Sequence, residues 1–262
     1  MLIFFDIDGT LIGGDSTIIP ESAREAIQEA RQRGHICMIN TGRSLKLVGE
    51  ELTGQTEFDG LILGCGTMIV YHGETLLHRS FSTEESRRII EGLRRFEIDA
   101  CLEGSRDNFC EPYDRMFTDV FREFIHHFDH LRYRYMDEAP GQFDKLYAYV
   151  DRKEKMEGFQ REFEDLLDFV DRRAGYYEIM PKGYSKASAM KWIAERLSIP
   201  MSQTAAIGDS SNDLPMLACA GISIAMGNAT EDVKETADFV TTSVENDGIR
   251  NALRWLGALG ER

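Results

Sequence analysis

Short runs that are apolar at nearly every position, "LIFFDI", "HICMIN", "GLILG" and "TAAIG", each stop at a polar or glycine-containing turn, and this limits the available folds sharply. Strands without polar alternation suit a parallel sheet covered on both faces. Helical patterns separate them. "PESAREAIQEARQRG" puts Ala23, Ala26, Ile27 and Ala30 at helical spacing and closes on Gly34, and "LKLVGEEL" follows the second run. This βαβ rhythm predicts an α/β protein with a doubly wound, parallel, Rossmann-like core.

The rhythm breaks at about Thr83, where charge density rises, aromatics cluster and longer amphipathic strands such as "KLYAYVD" appear. Near Ser185 it resumes with a helix over Ala187 to Leu197, the strand "TAAIGD", a helix after "SSNDLPML", and "GISIAMGNA". We therefore expect a core built from residues 1–82 and 184–262 and an inserted α+β domain over 83–183. A chain of 262 residues is long enough for both.

Charge narrows the partners. With 45 acidic against 30 basic residues the net charge is -15, which repels polyanions, so no nucleic acid partner is expected. The five cysteines are odd in number and scattered, with no C-x-x-C, so neither a disulfide framework nor a zinc site is expected and a reducing cytoplasm fits. No apolar run approaches the roughly 18 residues that span a bilayer, and "MLIFF" lacks the flank and length of a signal peptide, so no membrane association is expected.

Polar residues at the strand ends carry the functional signal. In an extended segment Asp6 and Asp8 project to the same side, into the crevice beyond a strand's carboxyl end where open α/β sheets bind ligands. Their repulsion is relieved by a hard divalent cation, or by a proton kept on one of them for acid catalysis. Helix capping explains one polar residue in "GDSSND", but hardly Asp209, Ser210, Ser211, Asn212 and Asp213 together. In "INTGRS", Thr41 offers a hydroxyl and Gly42 a backbone amide at a helix N-terminus, a phosphate-cradling arrangement. Lys186, opening the helix after the insert, brings positive charge to that group.

These segments, in this order, resemble the haloacid dehalogenase superfamily of phosphatases, in its Cof-like, large-cap branch. The resemblance covers the core segments and makes the insert a cap. It implies that Asp6 is the nucleophile that becomes an aspartyl phosphate and that Asp8 is acid and base for the leaving group. It further implies that Thr41, Gly42, Lys186 and Asn212 hold the phosphoryl oxygens, with Lys186 bridging to Asp6. Magnesium would be held by Asp6, the backbone carbonyl of Asp8, and Asp209, with Asp213 behind them steadying Lys186 or the metal's waters. An all-oxygen ligand set independently favours magnesium over zinc. A small phosphorylated metabolite, first of all a sugar phosphate, is the implied substrate.

One departure stands out: "GCGTMI" puts Cys65 where many relatives carry asparagine. No cation beside Cys65 is visible in the sequence, so a reactive thiol is not expected. Asp107, Asn108, Glu111, Tyr113, Asp114 and Arg115 are the cap's candidate contacts for substrate hydroxyls. Phe117, Phe121, Phe124 and Phe128 follow helical spacing and predict a buried helix face. His126 and His130 lack a further ligand at metal spacing, so a solvated or packed helix is expected there. Three other classes compete with the phosphatase reading. A phosphomutase would share the core chemistry, a receiver domain would be about half as long, and a binding module would hold phosphate without turnover.

Overall fold

The computed structural model describes residues 1–14, 16–128 and 132–260. In chain order the first elements are β1 (Leu2–Phe5), α1 (Glu21–Gln32), β2 (Ile36–Asn40), α2 (Leu45–Thr53), β3 (Gly60–Leu63), β4 (Met68–Tyr71) and β5 (Glu74–His78). The insert supplies α3 (Thr83–Arg95), β6 (Asp99–Glu103), β7 (Asn108–Cys110), α4 (Asp119–His127), β8 (Arg134–Tyr135), β9 (Lys145–Tyr149), α5 (Lys153–Phe163), β10 (Leu167–Asp171) and β11 (Tyr176–Pro181). Then follow α6 (Lys186–Arg196), β12 (Thr204–Gly208), α7 (Leu214–Cys219), β13 (Ile222–Ala225), α8 (Glu231–Thr236), β14 (Phe239–Val240) and α9 (Gly248–Trp255). The chain divides into two compact units, one of residues 1–42, 48–77 and 185–262, the other of 43–47 and 78–184.

The first unit holds an eight-stranded sheet in the order β14-β13-β12-β1-β2-β3-β4-β5. Its central strands are parallel, and β4 runs antiparallel to β3. Leu2, Ile3, Phe4 and Phe5 are all fully buried, as a strand covered on both faces requires. Each such side chain is worth about 1.5–3 kcal/mol of apolar burial. Ala23, Ala26, Ile27 and Ala30 form the buried stripe of α1, which packs beside α9. From β1 the chain winds outward through β2 and β3, and returns on the other side through β12, β13 and β14. The topological switch point, where such sheets bind ligands, therefore lies between β1 and β12.

The second unit holds a six-stranded sheet, β10-β11-β9-β6-β7-β8, antiparallel except for the β7–β8 pair. Helices α3 and α5 cover one face, packing Ile89, Leu93, Met156, Phe159 and Phe163 on Leu102, Phe109, Leu146 and Ile179. On the other face Phe121 and Ile125 of α4 pack against Cys101 and Cys110. The aromatic stripe is shorter than its spacing predicts. Phe121 is buried and Phe124 stacks on it, whereas Phe117 precedes the helix and is 40% exposed. His126 is exposed in the last turn of α4, and His130 lies outside the described residues. Among the described residues no helix is long and apolar enough to cross a membrane.

Candidate active site

Three carboxylates and one ammonium meet at the switch point. Asp6 directly follows β1 and Asp209 directly follows β12, and the parallel register that sets Phe5 beside Ile207 brings both strand ends level. Lys186 is the first residue of α6, whose entry is fixed by a reciprocal cap between Ser185 and Ser188. Its Nζ donates to Asp6 Oδ1 and to Asp213 Oδ1, both at 2.6 Å. Asp6, Lys186 and Asp213 are buried, and Asp209 is half-buried. One oxygen from each of Asp6, Asp209 and Asp213 can lie within 4.8 Å of the others.

Asp213 is committed to the protein. Its Oδ2 accepts the backbone N–H groups of Asp209 and Ser210, each at 3.0 Å, while its Oδ1 holds Lys186. It thus fixes the turn after β12 and the lysine together. Asp209 takes a hydrogen bond from the Thr10 hydroxyl at 3.2 Å. Gly9 makes the close approach possible, because its φ is +77° and a Cβ there would sit 2.2 Å from Asp209 Oδ2.

Electrostatics follow from burial and from three carboxylates sharing one cation. Burial, then the neighbouring Asp213, push the Asp6 carboxyl up to about 8, against the opposing pull of Lys186. Burial and Asp213 likewise push Asp209 up to about 7, with Thr10 opposing. Burial disfavours the Lys186 ammonium, but Asp213 and Asp6 outweigh it and the pKa is raised.

Of the other residues expected at the site, Asp8 is exposed in the turn after Asp6. Thr41 is buried, Gly42 follows it, and both continue from β2, the strand beside β1. Asn212 lies in the turn after β12, where its Oδ1 accepts the Ser210 hydroxyl at 2.6 Å. Sequence reasoning missed Thr10 and Asn40. Asn40 Nδ2 donates to the Lys186 backbone carbonyl at 3.1 Å, tying the end of β2 to the start of α6. A polar residue closing the run "ICMIN" was the available signal. Cys65 has a left-handed backbone, φ 54°, and its N–H donates to the Thr41 carbonyl at 3.0 Å. The sequence shows no cation near this thiol; in the fold the Lys186 ammonium interacts with it.

Comparison with known proteins agrees with this fold. The family described as haloacid dehalogenase-like hydrolase matches residues 3–253. A Bacillus subtilis (strain 168) protein, YkrA, named provisionally as a phosphatase, is 31% identical, with 98% of each chain covered. A second from the same organism, the 5-amino-6-(5-phospho-D-ribitylamino)uracil phosphatase YcsE, is 29% identical over 97% of this chain and 94% of its own. A solved structure from Bacteroides thetaiotaomicron, described among phosphatases of the haloalkanoate enzyme superfamily, superposes with a TM-score of 0.85. It is 26% identical, covering 98% of this chain and 95% of that one. The chain belongs to the haloacid dehalogenase-like hydrolases, among their phosphatases.

Proposed function

We propose that this phosphatase hydrolyses a small phosphorylated metabolite, a sugar or polyol phosphate, in the cytoplasm, through an aspartyl phosphate formed on Asp6. The observation that carries this reading is the Lys186 ammonium, held 2.6 Å from both Asp6 and Asp213 at the switch point. Burial, and then the repulsion of neighbouring Asp213, raise Asp6 and Asp209, and one cation opposite three carboxylates leaves the cluster short of positive charge, which suits a divalent ion. Hard oxygen donors fit magnesium. Asp6, the Asp8 carbonyl and Asp209 would hold it, with Asp213 behind them, its oxygens already engaged by Lys186 and two backbone amides. When bound, magnesium neutralises charge on the carboxylates and on the phosphoryl group.

In this mechanism an Asp6 carboxylate oxygen attacks phosphorus while the ester P–O bond breaks, and Asp8 gives its proton to the departing oxygen. Thr41, Gly42, Lys186 and Asn212 hold the phosphoryl oxygens through the transfer. Asp8 then takes a proton from water as that water attacks phosphorus, the bond to Asp6 breaks, and inorganic phosphate leaves. The second unit is proposed as the cap that selects the leaving group. A relative named for the phosphate ester of a ribityl chain supports a polyhydroxylated leaving group.

An ester made chiral at phosphorus with oxygen isotopes tests the covalent step. Two in-line displacements give net retention at phosphorus. Net inversion would exclude Asp6 as the carrier, and a screen of phosphorylated metabolites for released phosphate identifies the substrate.

A further inference from the structure

One face of the second unit's sheet carries an unusual row. Glu103 on β6 pairs with Asn108 on β7 and with Lys145 on β9. In the β9–β11 register Tyr147, two residues beyond Lys145 and on the same face, pairs with Glu178. Strand alternation puts all four polar side chains on this face and sends Leu102, Phe109, Leu146 and Ile179 into the apolar layer. Lys145 Nζ lies 2.5 Å from Glu178 Oε1. It is 3.4 Å from Glu103 Oε2, near enough to attract that carboxylate, yet Oε2 accepts no aligned hydrogen bond.

Asn108 is the anomaly. It is 1% exposed, and among the described residues neither the nitrogen nor the oxygen of its carboxamide has a hydrogen-bond partner. Each buried polar group left unpaired costs about 1–3 kcal/mol, and leucine, of similar volume, would avoid that cost. The other end of β6 is a control: Asp99, equally buried, accepts the N–H groups of Phe117 and Thr118 and the Thr118 hydroxyl, so the fold uses it fully. Among the described residues nothing hydrogen-bonds to the Asn108 carboxamide.

We propose that Asn108, with Glu103, Lys145 and Glu178, is a recognition row that binds hydroxyl groups of an uncharged, polyhydroxylated leaving group. The inference rests on the phosphatase reading above and adds the residues and the charge rule by which the substrate is chosen. A hydroxyl both donates and accepts, which matches a carboxamide set beside carboxylates and an ammonium. Two carboxylates against one ammonium give the row no net positive charge to receive a second phosphate. Monophosphates of sugars and polyols are therefore accepted and bisphosphates refused. Of the six cap candidates named from sequence, only Asn108 belongs to this row.

The test compares kcat/KM for a hexose phosphate, a pentitol phosphate, a sugar bisphosphate and an aryl phosphate in wild type, Asn108→Ala and Asn108→Leu. We expect the sugar-to-aryl ratio to fall roughly 10- to 100-fold in both variants, as the loss of one or two hydrogen bonds implies. The Asn108→Leu unfolding midpoint should be no lower than that of wild type. Glu103→Gln should raise the bisphosphate-to-monophosphate ratio. An unchanged sugar-to-aryl ratio would overturn the row, and so would a lowered midpoint in Asn108→Leu, which would make the amide structural; an unchanged or lower bisphosphate ratio would overturn the charge rule. If wild type hydrolyses no sugar or polyol phosphate, the substrate reading fails by itself. The row is then decided by unfolding midpoints in unphosphorylated hexose and pentitol, which must rise more for wild type than for Asn108→Leu; equal rises overturn it.

Discussion

Two buried lysines in this chain each lie between two carboxylates. Lys186 lies between Asp6 and Asp213 at the ends of parallel strands, with Asp209 as a third carboxylate beside them. Lys145 lies between Glu103 and Glu178 across an antiparallel sheet, beside a carboxamide that has no hydrogen-bond partner among the described residues. The surroundings account for the difference. At the strand ends, turns and a helix start converge, so backbone amides and a hydroxyl fix Asp213 and Asp209 in place. On the sheet face the backbone groups serve the strand ladders, and only side chains can satisfy side chains. The first arrangement is suited to reacting groups and the second to contacts that a ligand completes.

The comparison breaks most directly at Asp6. Asp6→Asn should lower turnover by at least about 10⁴-fold with every substrate, because an amide is a poor nucleophile. A variant keeping a tenth of wild-type activity would reduce the Lys186 cluster to a structural ion network. Next come the two lysines. Lys145→Met should cost about 3–5 kcal/mol by removing the ammonium that buried Glu103 and Glu178 share, and replacing both carboxylates by leucine as well should recover most of that stability. Lys186→Met should lower turnover by about a thousandfold or more, and adding Asp213→Leu should not restore it. Denaturant midpoints and kcat for the four variants decide this. A paired replacement that rescues activity at Lys186 would show the two triads to be alike.

Titration sharpens the contrast. Asp6 and Asp209 are pushed up to about 8 and about 7 from an ordinary value of 3.8, so the metal-free fold binds protons that the unfolded chain has released. Metal-free protein should then lose stability as pH rises from about 4 through about 8, because these protons favour the native state. Magnesium must displace the same protons, so its affinity should climb roughly tenfold or more per pH unit between about 6 and 8. Calorimetric titrations at three pH values check the slope. A flat profile would contradict the assignment of Asp6 and Asp209 to the cation.

What could be read beforehand follows the same division. Asp6, Asp209 and Lys186 each end a strand or open a helix, and their polar character stands out against the apolar runs around them. The parallel sheet was legible for that reason. The row on β6, β7, β9 and β11 was not, because alternating polar residues in amphipathic strands look the same whether they face solvent or a ligand. Register alone brings Glu103, Asn108 and Lys145 together, and register depends on strand pairings that no local pattern encodes. Phe117 was misread for a related reason: helical spacing continued past the point where Thr118 caps α4.

The smallest effect compares one backbone device in both units. Helix α3 ends in "RFEI" and α6 in "RLSI", and each closes with the same pair of bonds. Ile98 N–H donates to the Leu93 carbonyl and Ile199 N–H to that of Ala194, both at 2.9 Å; Glu97 and Ser198 donate to Arg94 and Glu195 at 3.2 and 3.0 Å. This closure requires a left-handed residue, which is Glu97 at φ 53° and Ser198 at φ 55°. Helix α1 ends the same way on Gly34, which adopts φ 87° without a Cβ clash. Ser198→Gly should therefore stabilise by about 0.5–1 kcal/mol, the left-handed penalty less the added flexibility of the unfolded chain. Glu97→Gly gains the same relief but loses an ion pair with Lys155 at 3.0 Å. That partly exposed pair is worth about 0–1 kcal/mol, so the net change should be close to nil. Urea midpoints of the two variants measure the difference. A larger gain from Glu97→Gly would show that the Lys155 contact contributes nothing to stability.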